Sequence, residues 1–160
     1  MGMPKIYIET SVVSYLTARP SRDLLIAARQ EATREWWDLR GAIFHALISP
    51  LVVEEASAGD PQAALKRLEI CLKLQQLEIS TECESLASRL ISIGAIPSTE
   101  PEDALHIAIA TLAQTQFIAT WNFAHLVGPV AKYRLQSAIE RLGYAPPILA
   151  TPEELLETLP

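Results

Sequence analysis

The chain is poor in positive charge: 13 lysines and arginines stand against 19 acids, a formal net charge of −6. That deficit argues against binding nucleic acid through bulk positive charge, because phosphate contacts are the main source of such affinity. A local basic groove beside an acidic site stays compatible with it. Cysteine is scarce too. Cys71 and Cys83 lie on segments that read as helical and apolar, and they read as buried thiols in a reducing cytosol rather than as a disulfide. No basic region followed by a long apolar block opens the chain, so no secretion signal is expected. The longest apolar zone, Ala42–Val53, is broken by His45, Ser49 and Pro50 and is too short to span a bilayer. A soluble, cytoplasmic chain with no membrane partner is the expectation. Several chemistries also lack their signatures. There is no G-x-G-x-x-G, no G-x-x-x-x-G-K-[ST] and no G-x-S-x-G, and the three histidines (His45, His106, His125) and two cysteines lack zinc spacing.

What is present alternates between short apolar runs and helical patterns over 160 residues, the length of a single domain, 1–160, with a real core. Ile6, Tyr7 and Ile8 suit a strand buried on both faces, with Glu9 at its carboxyl end and Thr10 or Ser11 capping a helix over Val12–Leu16. Ser21 then caps a helix over Arg22–Arg40, with Leu24, Ala28, Ala32, Trp36 and Leu39 as its apolar stripe. Of the adjacent tryptophans, Trp36 is expected in the core and Trp37 at its edge. Ala42–Ile48 is a second strand, and Ser49-Pro50 opens a helix over Leu51–Ala58. Asp60-Pro61 starts another helix to about Leu74, with Ala64, Leu65, Leu68, Cys71 and Leu72 inward. Leu77–Ser80 is a third strand, and Thr81 caps Glu82–Ile93. Pro101 suits a first helical position, with Glu102 and Asp103 favoured in that first turn by the helix dipole, and Ala104–Ala113 behind them is apolar nearly all round. Phe117–Thr120 is a fourth strand ending in Trp121-Asn122, Val127–Leu142 a helix, Pro147–Thr151 a fifth strand, and Pro152–Leu156 a last helical turn capped by Thr151. Alternation of this kind predicts an α/β fold in which helices cover both faces of a mainly parallel sheet of about five strands.

Four polar side chains end otherwise apolar elements: Glu9, Glu54 or Glu55, Asp103 and Asn122. Strand carboxyl ends and the helix starts that follow them share one edge of a parallel sheet, where such folds bind ligands. Acids converging there repel one another, and a hard cation relieves the repulsion. Oxygen donors select Mg²⁺ or Mn²⁺, and Mg²⁺ uses one or two carboxylates plus waters and substrate phosphates. That pattern points to phosphodiester hydrolysis. Taken singly, each acid has a plainer role: a strand-end acid paired with an arginine, a solvated helix face, a dipole-complementing acid. The ordered set is what favours the metal reading.

The runs I-Y-I-E-T-S-V-V-S, S-P-L-V-V-E-E-A-S-A-G-D, E-D-A-L-H-I-A-I-A and T-W-N-F-A-H-L resemble the PIN domain, in the branch near the VapC-type toxins of toxin–antitoxin pairs. The tail G-Y-A-P-P-I-L-A-T-P-E-E-L-L resembles the same subgroup. This resemblance implies a three-layer α/β/α fold and divalent-metal-dependent ribonuclease activity. It places the four site positions on Glu9, Glu55, Asp103 and Asn122, with Glu55 preferred to Glu54 because it stands four residues before Gly59. It also implies RNA as substrate, an antitoxin protein as partner and a homodimer. Two positions depart from the family's pattern: Glu9 stands where Asp is usual, and neutral Asn122 where Asp is frequent. On this reading Glu9 and Asp103 hold one Mg²⁺ or Mn²⁺, Glu55 orients or deprotonates the attacking water, and Asn122 positions water. Thr10 and Thr120 support the ligands, and Arg19, Arg22, Lys132 and Arg134 are candidate contacts to the RNA backbone. The competing class is a PIN-like binding module without catalysis, acting through protein partners, and a third is a DNA or flap-type nuclease.

Overall fold

A computed structural model describes residues 2–123 and 128–157. In chain order the elements are β1 (Lys5–Ile8), α1 (Thr10–Thr17), α2 (Leu24–Arg40), β2 (His45–Ile48), α3 (Pro50–Ala56), α4 (Pro61–Cys71), β3 (Gln75–Gln76) and α5 (Thr81–Ser92), then α6 (Pro101–Leu112), β4 (Phe117–Ala119), α7 (Pro129–Arg141), β5 (Ile148–Ala150) and α8 (Pro152–Glu157). The five strands form one all-parallel sheet in the order β3-β2-β1-β4-β5, with the helices around it. β1 is central, and Ile6, Tyr7 and Ile8 are fully buried because helices cover the sheet there. The winding direction reverses between β1 and β4, so their carboxyl ends frame the crevice where doubly wound sheets bind ligands. Ile8 registers with Ala119, which sets Glu9 beside Thr120. No helix among the described residues is long and apolar enough to cross a membrane.

Several boundaries differ from expectation, each for a local reason. α1 begins at Thr10 with Glu9 as its N-cap residue, and neither Thr10 nor Ser11 caps it, because both hydroxyls donate to glutamates instead. α2 is capped by the Asp23 side chain, which accepts from the Ile26 amide, while Ser21 Oγ accepts from the Asp23 amide one turn earlier. Its buried face is Gln30, Thr33 and Trp36, whereas Leu24, Ala28 and Leu39 are exposed. The two polar members of that face are satisfied: the Gln30 side chain donates to Arg19 O and accepts from the Ser21 amide, and Thr33 Oγ1 donates to Arg29 O. Trp36 is in the core, and Trp37 lies at its edge under the Arg40 guanidinium, 3.6 Å from the ring centroid.

β2 starts at His45, not Ala42, because residues 41–43 turn back on the end of α2 and Lys5 is the first residue of β1 to pair with it. His45 is exposed at that edge and its Nε2 pairs with Gln75 Oε1. β3 is two residues long and precedes Leu77–Ser80, since β2 ends at Ile48, whose carbonyl accepts from the Leu77 amide as the last link between the two strands. α4 buries Ala64 and Cys71 but leaves Leu65 and Leu72 exposed. Ser80, not Thr81, caps α5. α6 begins at Pro101 and is buried over Ala104 and His106–Thr111, as its apolar surface requires. Both cysteines are buried free thiols. The A-H-L end of the T-W-N-F-A-H-L run and the Val127 start expected for α7 lie outside the described residues.

Candidate active site

Glu9 leaves β1 into the crevice yet is only 3 % exposed. A buried carboxylate needs donors, and the local chain supplies them. Ser11 Oγ and Thr120 Oγ1, the latter at 2.7 Å, both donate to Glu9 Oε1. These hydroxyls are themselves held: the Trp121 amide donates to Ser11 Oγ at 2.8 Å and the Asn122 amide to Thr120 Oγ1 at 3.0 Å. Trp121 is pinned in turn, its Nε1 donating to Thr33 Oγ1 on α2 at 2.8 Å. The segment after β4 thus positions one oxygen of Glu9 and leaves the other without a hydrogen bond among the described residues.

Glu55 sits in the last turn of α3, half-buried, while the adjacent Glu54 is exposed. Thr10 Oγ1 donates to Glu55 Oε1 at 2.5 Å, and His106 Nε2 lies 2.7 Å from the same atom. Burial works to raise the Glu55 pKa, but the hydrogen bonds it accepts from His106 and Thr10 outweigh it, so the carboxyl stays below its ordinary range. His106 itself is 1 % exposed, and its Nδ1 lies 2.6 Å from the Tyr7 hydroxyl, which lies 2.8 Å from Ser49 Oγ. Burial raises the Tyr7 pKa further above its ordinary value, so the phenol keeps its proton.

Asn122 is exposed and shares with Glu9, Thr10, Ser11 and Glu55 a cleft of about 320 Å³. Asp103, in the first turn of α6, lines the neighbouring cleft with Glu54, Glu55 and Glu102, so Glu55 borders both. Partial burial and then the charges of Glu100, Glu9 and Glu55 push the Asp103 carboxyl up to about 7. The structure therefore brings Glu9, Glu55 and Asn122 to one cleft and sets Asp103 in the adjoining one, with Glu55 between them. One atom each of Glu9, Glu55 and His106 lie within 4.8 Å of one another, a spacing that a single metal ion spans. Asp103 is not in that triplet.

His106, Tyr7, Ser49 and Ser11 belong to this site although the sequence pattern did not single them out. His106 was legible in principle, since it follows Asp103 by three residues and so shares its side of the helix. Tyr7 carried a weaker sign, because a buried tyrosine hydroxyl needs a partner. Ser49 and Ser11 show theirs only when distant strands are brought together. Among the described residues no lysine or arginine pairs with Glu9 or Glu55. The donor set (buried and half-buried carboxylates that repel one another, aimed from several elements at one crevice) fits a hard divalent cation.

The same fold is found in solved structures. One chain of VapBC2 from Rickettsia felis, crystallised bound to a DNA fragment from their promoter, aligns with a TM-score of 0.58 at 16 % identity, over 91 % of this chain and 97 % of that one. VapC20 from Mycobacterium tuberculosis, a Sarcin-Ricin loop cleaving toxin, aligns with a TM-score of 0.57 at 16 % identity, over 71 % and 87 % of the two chains. No family model and no curated protein matches the chain. The fold is therefore the VapC-like PIN fold.

Proposed function

We propose that the protein is a divalent-metal-dependent endoribonuclease that hydrolyses phosphodiester bonds of RNA, and that it acts as the toxin of a toxin–antitoxin pair. The observation that carries the reading is the approach of Glu9 and Glu55 to within the span of one metal ion at the winding reversal of the sheet, with Asp103 lining the adjoining cleft that Glu55 also borders. Glu9 and Asp103 are the residues to hold Mg²⁺ or Mn²⁺, and their mutual repulsion is the force that recruits it. Bound there, a divalent cation polarises a phosphoryl oxygen and lowers the pKa of water. Glu55, kept ionised by His106 and Thr10, takes the proton of the attacking water on its unbonded oxygen. Asn122, at the exposed mouth of the cleft, orients water or a phosphate oxygen with its amide. Thr10 and Thr120 fix the two glutamates, so the site is shaped before substrate arrives.

An antitoxin partner is supported by the fold shared with a VapBC2 chain, and RNA as substrate by the fold shared with VapC20. Homodimerisation belongs to the same proposal, and so does action in the cytoplasm. The test is incubation of the purified chain with labelled RNA and Mn²⁺, with chelator and with Glu9→Gln as controls. Metal-dependent cleavage by the wild type alone supports the reading. Binding of RNA or a partner without cleavage replaces it with a non-catalytic PIN-like module, and preference for branched DNA replaces it with a flap-type nuclease.

A further inference from the structure

Four side chains running from the core to the rim form a hydrogen-bonded chain in which every proton has one direction to go. Ser49 Oγ, the Tyr7 hydroxyl, His106 and Glu55 Oε1 are linked by contacts of 2.8, 2.6 and 2.7 Å. Ser49 is fully buried, and its Oγ receives the Val52 amide at 3.4 Å, so the serine proton must find an acceptor. Tyr7 oxygen is the acceptor described for it. Tyr7 then donates its single proton to His106 Nδ1, and the ring, neutral, donates from Nε2 to Glu55. The reverse arrangement, with Nδ1 protonated and Tyr7 donating to Ser49, strands the serine proton in the core at a cost that buried polar groups rarely bear.

We propose that Ser49 and Tyr7 lock His106 as the neutral Nε2–H tautomer, which makes His106 a positioning residue for Glu55 and withholds it from the metal. An imidazole nitrogen that carries a proton has no lone pair to give. The close approach of Nε2 to the carboxylates, within reach of an ion by distance alone, is thus a hydrogen-bond donor's approach. The consequence is a choice of metal. With Nε2 occupied, the centre offers oxygen donors only and suits Mg²⁺ or Mn²⁺. With Nε2 released, it gains an imidazole and turns toward Zn²⁺ or Ni²⁺. The role given to Glu55 in this inference rests on the hydrolase reading above, but the tautomer does not.

The first experiment is therefore nitrogen-15 spectroscopy of the histidine side chains in the metal-free protein near neutral pH, with His106 assigned by its disappearance in His106→Gln. The expected signature is a protonated Nε2 and an unprotonated Nδ1, unchanged when Mg²⁺ is added to saturation. An imidazolium, the opposite tautomer, or loss of the Nε2 proton on adding Mg²⁺ overturns the proposal, whatever the activity of the protein. Tyr7→Phe, which keeps the ring and removes the donor, is expected to mix the tautomers and to tighten Zn²⁺ relative to Mg²⁺, measured by calorimetry. An unchanged tautomer and an unchanged metal ratio in Tyr7→Phe also overturn it. In cleavage assays, His106→Ala is expected to lose about 10- to 100-fold in kcat with little change in KM. Because the glutamine amide nitrogen stands near the position of Nε2, His106→Gln should recover part of that loss. Equal losses in the two variants count against positioning. Absence of cleavage by the wild type leaves the spectroscopic result standing and refutes only the hydrolase reading.

Discussion

At the scale of single residues, Asp103 carries the clearest electrostatic consequence. Its folded-state pKa is raised from 3.8 to about 7 by burial and by Glu100, Glu9 and Glu55. A carboxyl with a raised pKa binds its proton more tightly folded than unfolded, so the stability that Asp103 contributes is fullest below pH 4 and falls as the pH climbs toward about 7. Asp103→Asn removes that dependence. In chelator, the variant should match the wild type near pH 4 and exceed it near pH 7.5 by on the order of 1–2 kcal/mol, a figure discounted for the solvent at this half-buried group. Urea denaturation at the two pH values reads the difference. The same variant should lose the thermal stabilisation by Mn²⁺ that the proposed metal site predicts for the wild type. Loss of fold in Asp103→Asn would instead mark a structural acid. Thr120→Val moves the other way: it strips one donor from buried Glu9 and the acceptor from the Asn122 amide. The expected cost is about 1–3 kcal/mol of stability by urea denaturation, with Mn²⁺ affinity reduced by calorimetry.

At the scale of elements, the parts most readable from sequence were those whose partners lie close along the chain. Pro101 at the start of α6 and the capping of α8, where the Thr151 and Glu154 side chains each accept from the other's amide, follow from local chemistry. β1 was readable from three consecutive apolar residues. The α2 face was not, because its buried members Gln30 and Thr33 are polar, and what admits them to the interior is a set of hydrogen bonds to Arg19, Ser21, Arg29 and Trp121. Periodicity of apolar residues cannot register a buried glutamine whose partner is eleven residues away. Its N-terminus escaped for a related reason: Ser21 and Asp23 are both good caps, and they act in series. Asp23→Ala should therefore cost about 0.5–2 kcal/mol of stability, because it frees the Ile26 amide. Ser21→Ala should cost less, since Asp23 still caps the helix without it. Thermal denaturation of the two variants side by side checks the order.

For the whole molecule, a net charge of −6 means that the proposed RNA cleavage needs a local route for a polyanion to reach a cluster of acids. The acids at the rim were legible because each ends an apolar element, but the cations were not, since a charged side chain on a helix looks the same whether it meets solvent or phosphate. Four had been picked out, and the fold separates them. Lys132 pairs with Glu154 at 3.7 Å, and Arg22 and Arg134 line none of the described clefts, whereas Arg19 lines a groove of about 530 Å³ between α1 and α4. Lys66 and Arg67 line it too, and Ser14 borders both this groove and the cleft of Glu9. Arg67 is committed to the carbonyls of Ala56 and Ala58, and Asp60 to capping α4. On the proposed function, Arg19 and Lys66 are the cations in that groove to take phosphates of a strand that leaves the acidic cleft past Ser14. Replacing both with alanine in the Glu9→Gln background should weaken RNA binding without regard to sequence and flatten the plot of log affinity against log salt by about 1.4, since each lost contact to single-stranded RNA removes about 0.7. Fluorescence anisotropy across a salt series measures that slope. An unaltered slope would send the strand out by another path, along α2 and the segment after β4, where Arg29 stands 5.4 Å from the Trp121 ring centre.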